Sequence, residues 1–297
     1  MANPYRQLFN APGSRGFVLA GVIARLPVAM TGIGIITMLA QLRGNYGLAG
    51  AVAATFALTS ALMAPQVSRR VDRLGQHRVL PVAATISVAG MLALLACTHW
   101  QMPDWTLFVC AVLAGFMPSV SAMVRARWTH IYRGSPQLQT AYALESVLDE
   151  VVFIAGPPLA VGLSVALFPQ AGPLAAALLQ AIGVFAFVVQ RGTEPPVQVA
   201  SSTCGGSILR LGGMRILLLL LVAMGTIVGT IDVVSVAFAQ QQGQPAAASI
   251  VLSVYALGSC GAGLLFGATK LQTPLPRLFL WCGVATALVL WINVLLL

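Results

Sequence analysis

The sequence predicts an all-α polytopic membrane protein, and two observations lead to that class. The 297 residues are 58% hydrophobic and only 8% charged, with a mean hydropathy of +0.89, whereas a water-soluble domain carries about 25% charged residues. Apolar runs close to the ~20 residues of a spanning helix follow one another, and none alternates as a barrel strand would. We place nine at about 17–40, 47–67, 79–98, 105–124, 139–167, 171–190, 214–239, 246–269 and 277–297.

The spacing of these runs divides the chain into three parts. Residues 1–190 hold six helices, residues 191–213 form a linker rich in Gly, Ser, Thr and Pro, and residues 214–297 hold three more helices. Many transporters pair three-helix repeats into six-helix halves. We therefore expect a whole N-terminal half and an incomplete C-terminal half. About three helices are then missing by truncation, or a second chain supplies them.

The basic residues predict how the chain is oriented. Because Lys and Arg concentrate in cytoplasmic links, a one-sided distribution indicates which links these are. It predicts a bacterial-type inner (plasma) membrane protein with a cytoplasmic N-terminus, and it explains the net charge of +9 without a nucleic-acid partner. Fourteen of the 16 basic residues fall in the N-terminal tail or in the second, fourth, sixth and eighth links: Arg6, Arg15, Arg69, Arg70, Arg73, Arg78, Arg125, Arg127, Arg133, Arg191, Arg210, Arg215, Lys270 and Arg277.

The sequence holds no pattern of a catalytic or metal site. The five Cys and three His residues are scattered, and neither H-E-x-x-H nor G-x-S-x-G occurs. We expect no enzymatic activity, no cofactor and no metal.

The second link reads SRRVDRLGQHR, residues 68–78. It resembles the signature loop of the major facilitator superfamily, G-x-x-x-D-R-x-G-R-R, with matches at Asp72, Arg73, Gly75 and Arg78. Ser68 stands in place of the first glycine, and Gln76 and His77 stand at usually basic positions. The resemblance implies a major facilitator helical bundle in which this loop latches the two halves in one conformation. The alternative is a simple basic anchor at the membrane surface.

Residues 154–162 read IAGPPLAVG and are similar to the G-P motif in the fifth helix of the family's drug/proton antiporter branch. Gly156 and Pro157 match, while other glycine positions of the motif are not kept. Pro157 and Pro158 remove backbone donors and favour a kink, and Gly156 permits close helix packing. The resemblance implies a kinked helix that blocks leakage through the protein and favours drug/proton antiport. The alternative is an ordinary proline kink in a membrane helix.

Charges within the predicted helices are the candidate coupling site. With a rise of 1.5 Å per residue, Arg25 lies ~12 Å deep, Glu145 ~9 Å and Asp149 ~15 Å. Glu145 and Asp149 share one helix face, and Glu150 is rotated by about 100°. Arg25 is the one cation within the first six predicted helices, so we expect it to pair with Asp149, with Glu145 or Glu150 close by.

Two roles for this cluster remain open. A buried carboxylate without a cation tends to hold a proton, which suits proton coupling. Alternatively the charges are structural: Glu145 reaches the membrane interface, or Arg125, Arg127 or Arg133 holds Glu145 or Glu150.

Small and polar residues of the first and seventh helices are candidates for a substrate cavity, namely Thr31, Gly34 and Asp232. The family's pseudo-symmetry implies that these helices line the central cavity. Asp232 would bind a cationic substrate or a proton, or form a hydrogen bond with a neighbouring hydroxyl.

The expected function is secondary transport of a small molecule, coupled to protons and directed outward, by alternating access in the lipid bilayer. The alternative is a truncated product that does not transport, or a membrane scaffold.

Overall fold

The structure, a computed structural model, describes residues 4–197, 212–223, 225–226 and 245–268, together with residues 277, 281, 283 and 284. Within these residues the chain is helical and contains no strand. A short 3₁₀ turn, Arg191–Thr193, follows the eighth helix. The helices are α1 (Pro4–Leu8), α2 (Ser14–Arg43), α3 (Tyr46–Leu74), α4 (Gln76–His99), α5 (Asp104–Ala114), α6 (Val120–Tyr132), α7 (Gln137–Ala166), α8 (Ala171–Val189), α9 (Gly212–Ala223) and α10 (Pro245–Ala268).

The helices confirm the predicted fold class. Five of the described helices, α2, α3, α4, α7 and α8, are long and apolar enough to cross a membrane. They coincide with the first, second, third, fifth and sixth apolar runs of the sequence. The seventh and ninth runs, 214–239 and 277–297, lie largely outside the described residues.

The fourth run differs from its prediction. Instead of one helix over 105–124, the chain forms α5 and α6 with a break between Gly115 and Ser119. Pro118 explains the break, because it has no amide hydrogen to donate and it disfavours helical geometry in the residue before it. Helix α6 then continues to Tyr132, so Arg125 and Arg127 belong to a helix and not to a link.

The end of the bundle where α3 meets α4, where α6 meets α7 and where α8 ends is here called the basic end. Its interior is aromatic, since Phe17 lies edge-on to Trp128 with ring centroids 4.8 Å apart and Phe187 is buried in the same cluster. Aliphatic side chains such as Leu94 and Leu107 fill the opposite end. Helix α2 runs through both clusters and packs on α7 and α8.

Helix α10 lies antiparallel to α7 and joins the N-terminal helices at the basic end. The last turn of α10 faces the first turn of α7, so its carbonyl groups are within reach of side chains from the N-terminal part. Three of these donate hydrogen bonds: Tyr5 Oη to Leu264 O at 2.6 Å, Gln139 Nε2 to Phe266 O at 3.5 Å and Thr140 Oγ1 to Gly267 O at 2.9 Å.

Candidate functional site

Arg25 projects from α2 toward one face of α7 and is almost fully buried, with 2% of its side chain exposed. Its Nη1 donates to Asp149 Oδ1 at 2.8 Å, and its Nη2 donates to Glu145 Oε2. Nε returns to its own helix, donating to Gly21 O at 3.2 Å. The four-residue spacing of the two acids places both carboxylates on one side of α7, so a single guanidinium spans them.

Helix α6 adds three donors to this cluster. Arg125 Nη2 donates to the second oxygen of Asp149 at 2.6 Å, and Ser121 Oγ donates to Asp149 Oδ1 at 2.9 Å. Trp128 Nε1 donates to Glu145 Oε1 at 2.8 Å. Each oxygen of both carboxylates therefore accepts at least one hydrogen bond, which offsets the cost of removing them from water.

The cluster is electrically balanced, with two arginines and two carboxylates. We expected Asp149 beside Arg25 with either Glu145 or Glu150 nearby, and the structure places Glu145 there. Arg125, considered as a partner for Glu145 or Glu150, instead contacts Asp149. The arrangement ties α2, α6 and α7 together, because removing one partner would leave a buried charge uncompensated.

Glu150 is separate from this cluster. It is partly buried, on a different face of α7, and its Oε1 accepts a hydrogen bond of 2.9 Å from Ser259 Oγ of α10. Among the described residues no ion pair involves Glu150. It is thus a carboxyl group at the contact between the N-terminal helices and α10, held by a hydroxyl donor.

Arg127 corrects the expectation that Arg25 is the one buried cation of the first six helices. It is fully buried, at 0% exposure, because α6 extends past the predicted helix end. Its guanidinium lies 3.8 Å from the ring centroid of Phe187. It donates to four acceptors, namely Gln76 Oε1 at 2.9 Å, Gln190 O at 2.8 Å, Thr193 Oγ1 at 2.8 Å and Phe187 O at 3.1 Å. No signal in the sequence distinguished Arg127 from the other arginines of this segment.

Glu194, just after α8, was also missed by the sequence analysis. Its Oε1 accepts from the His77 backbone N–H at 3.1 Å, and His77 Nδ1 lies 3.1 Å from both carboxylate oxygens. Burial opposes ionisation, but hydrogen bonds from the His77 ring and from the backbone N–H groups of His77 and Gln76 outweigh it, so the pKa of Glu194 lies below its ordinary value. Glu194 therefore caps the N-terminus of α4, where negative charge is stabilised.

The loop over residues 68–78 contains a single residue between two helices. Gly75 separates α3 from α4 with φ at +89°, a value that favours glycine, and a Cβ there would lie 2.9 Å from Glu194 Oε1. Asp72, Arg73 and Arg78 are exposed. Asp72 lines a cavity of about 490 Å³ between the end of α3, α6 and the proline pair that follows Glu194.

A comparison with protein families decides the class of this bundle. The family model described as Major Facilitator Superfamily matches residues 17–297, nearly the whole chain. This chain belongs to the major facilitator superfamily. No curated protein and no solved structure matched it closely enough to compare.

Membership in the major facilitator superfamily makes the chain an integral membrane protein and a transporter of small molecules. The second link, which resembles the superfamily's signature loop, forms the tight turn at Gly75 described above.

The G-P motif lies inside the bundle, where α7 packs against α2. Helix α7 continues without interruption through Pro157 and Pro158. Gly156 lies against α2, and a Cβ at Gly156 would be 2.6 Å from the Cβ of Ala29. Glycine here allows α2 and α7 to approach closely.

The residues proposed to line a substrate cavity have different positions. Thr31 is buried, and its Oγ1 donates to Pro27 O within α2 at 2.7 Å. Gly34 lies against Pro173 of α8. In this conformation both are packing positions inside the bundle. Asp232 lies outside the described residues.

Proposed function

We propose that this transporter exports small molecules in exchange for protons, by alternating access, with its basic end on the cytoplasmic side of a bacterial-type inner membrane. The one-sided basic links support the orientation. The G-P motif, which resembles that of antiporters, supports the direction. The observation that carries proton coupling is the environment of Glu150.

Glu150 has the properties that a proton carrier needs. It lies on α7 where this helix faces α10, so its surroundings change when the two halves of the protein separate. Its contact there is a serine hydroxyl, 2.9 Å away, which can donate to the carboxylate or accept from the protonated acid. Among the described residues no cation pairs with Glu150, and an ionisable residue in such a position within a membrane segment is a candidate relay.

Glu145 and Asp149 have a different role in this proposal. Both accept hydrogen bonds from Arg25, and Asp149 also contacts Arg125. The two carboxylates balance the charge of the buried arginines, and removing either one would leave a cation uncompensated. These two residues therefore hold α7 against α2 and α6, while the neighbouring acid exchanges the proton.

The test begins with a substrate. A drug-sensitivity panel in an efflux-deficient host identifies compounds to which the chain gives resistance, and one of these is then loaded into proteoliposomes. Two assays are compared. Counterflow measures exchange without a proton gradient, and gradient-driven transport measures coupling. We expect Glu150→Gln to retain counterflow and lose gradient-driven transport, whereas Glu150→Asp retains both.

Asp149→Asn is the contrasting variant, because it alters the arginine cluster and leaves Glu150 intact. We expect it to weaken folding and to keep coupling in the fraction of protein that folds. Full gradient-driven transport by Glu150→Gln would overturn the coupling proposal. A wild-type chain that gives neither resistance nor counterflow with any compound would overturn export itself.

A further inference from the structure

A groove on the outer surface of the bundle lies between the end of α3 and the beginning of α4. It has a volume of about 200 Å³. Its walls include Leu74, Val82 and Ile86, all of which are exposed. Arg70 and Arg78 complete the lining, and both are also exposed. The groove therefore combines an apolar body with a cationic mouth.

The polar and apolar parts of the groove are separated along the helix axis. Arg78, Val82 and Ile86 recur every four residues on one face of α4. At 1.5 Å per residue, Ile86 lies about 12 Å from Arg78 toward the middle of the membrane. Phe116, at the break between α5 and α6, also lines the groove. The charged end and the apolar length of the groove match the two parts of a phospholipid, whose phosphate lies at the membrane surface and whose acyl chain extends toward the membrane interior.

The charge at the mouth selects among phospholipids. The groove lining contains two arginines and no acidic residue, and Asp72 lines the neighbouring 490 Å³ cavity instead. In the described part of the chain, neither Arg70 nor Arg78 forms an ion pair. A zwitterionic headgroup would bring its own ammonium group toward these arginines. A headgroup with net negative charge gains from both without that repulsion.

We infer that the groove between α3 and α4 is a binding site for an anionic phospholipid, whose phosphate contacts Arg70 and Arg78 and whose acyl chain lies along Val82 and Ile86. The site is on the lipid-facing surface and does not depend on the transported substrate or on proton coupling.

The experiment is native mass spectrometry of the full chain in detergent, titrated with dioleoyl phosphatidylglycerol. The variant is Arg70→Gln with Arg78→Gln. The matched control is Arg69→Gln with Arg73→Gln, which removes the same charge from exposed positions of the same segment that do not line the groove. A basic residue near anionic lipid contributes about five-fold in affinity, so losing both arginines should weaken binding about 25-fold. The control should change it by less than about five-fold.

A second variant tests the apolar part of the site. Val82 is 60% exposed, so Val82→Trp fills the groove without disturbing the core, and we expect it to weaken binding while all arginines remain. Equal losses in the two double variants would overturn a defined site in favour of diffuse attraction. Unchanged binding in Val82→Trp, equally tight binding of dioleoyl phosphatidylcholine, or equal competition by glycerophosphoglycerol without acyl chains would also overturn it.

Discussion

Replacing Arg25 with methionine tests whether the charge cluster holds the bundle together. In Arg25→Met, Asp149 keeps Arg125 at 2.6 Å, but Glu145, at 0% exposure, keeps only the hydrogen bond from Trp128. A buried ion pair that loses one partner costs about 3–5 kcal/mol, because the remaining charge is uncompensated. We expect a loss of that size in the free energy of unfolding.

The double variant Arg25→Met with Glu145→Met separates this explanation from simple loss of packing. Removing both charges leaves an apolar contact of similar volume, so most of the stability should return. The assay is a titration from mixed micelles into sodium dodecyl sulfate, followed by circular dichroism. The control is Arg43→Met. Its partly exposed side chain lies 3.5 Å from exposed Asp104, so the change should cost about 1 kcal/mol or less. A double variant less stable than Arg25→Met alone would refute the reasoning.

The same titration tests three other positions. Glu194→Gln should destabilise the protein by about 1 kcal/mol at neutral pH, through loss of the charged cap on α4. Because the pKa of Glu194 is lowered by folding, this contribution is present above its ordinary pKa of 4.5 and disappears as the pH falls through the folded value. Gly156→Ala should cost about 1–3 kcal/mol, because the added methyl group overlaps Ala29. Trp128→Phe should cost about 1.5–3 kcal/mol, since Glu145 loses its indole donor.

Controls within the chain sharpen these three predictions. Gly162 lies in the same helix as Gly156, and a Cβ there meets nothing within 4 Å, so Gly162→Ala should stabilise α7 by up to about 1 kcal/mol. Equal effects at the two glycines would contradict the packing argument. A Glu194→Gln difference that does not shrink as the pH falls below 4.5 would contradict the capping argument. A Trp128→Phe variant as stable as the wild type would show that the indole hydrogen bond contributes nothing.

The sequence predicts much of the fold because a membrane chain must satisfy its backbone internally. Runs of about 20 apolar residues therefore mark helices, and the structure follows them at α2, α3, α4, α7 and α8. The break at Pro118 had a visible signal, since the proline interrupts an otherwise helical run. Depth counting also placed Arg25 at the level of Glu145 and Asp149, because the rise of a helix is constant.

What the sequence could not predict depends on burial by distant segments. Arg127 and Arg125 were counted as link residues that orient the chain, because charge alone does not distinguish an exposed arginine from one enclosed by α8 and the 3₁₀ turn. Glu194 lies in a polar stretch with no apolar pattern, and its role follows from the position of the α4 N-terminus. Such contacts become visible only when helices far apart in the chain are placed side by side.

The contact between the N-terminal helices and α10 has a consequence for the proposed alternating access. Tyr5, Gln139 and Thr140 donate to main-chain carbonyl groups near the end of α10, so these three hydrogen bonds do not depend on the side chains of that turn, although Gly267 must stay small because a Cβ there would overlap Ala143. Water can replace each donor, and a hydrogen bond exchanged with water contributes only about 0.5–1.5 kcal/mol. Contacts of this strength break at low cost, as the alternating access proposed above requires.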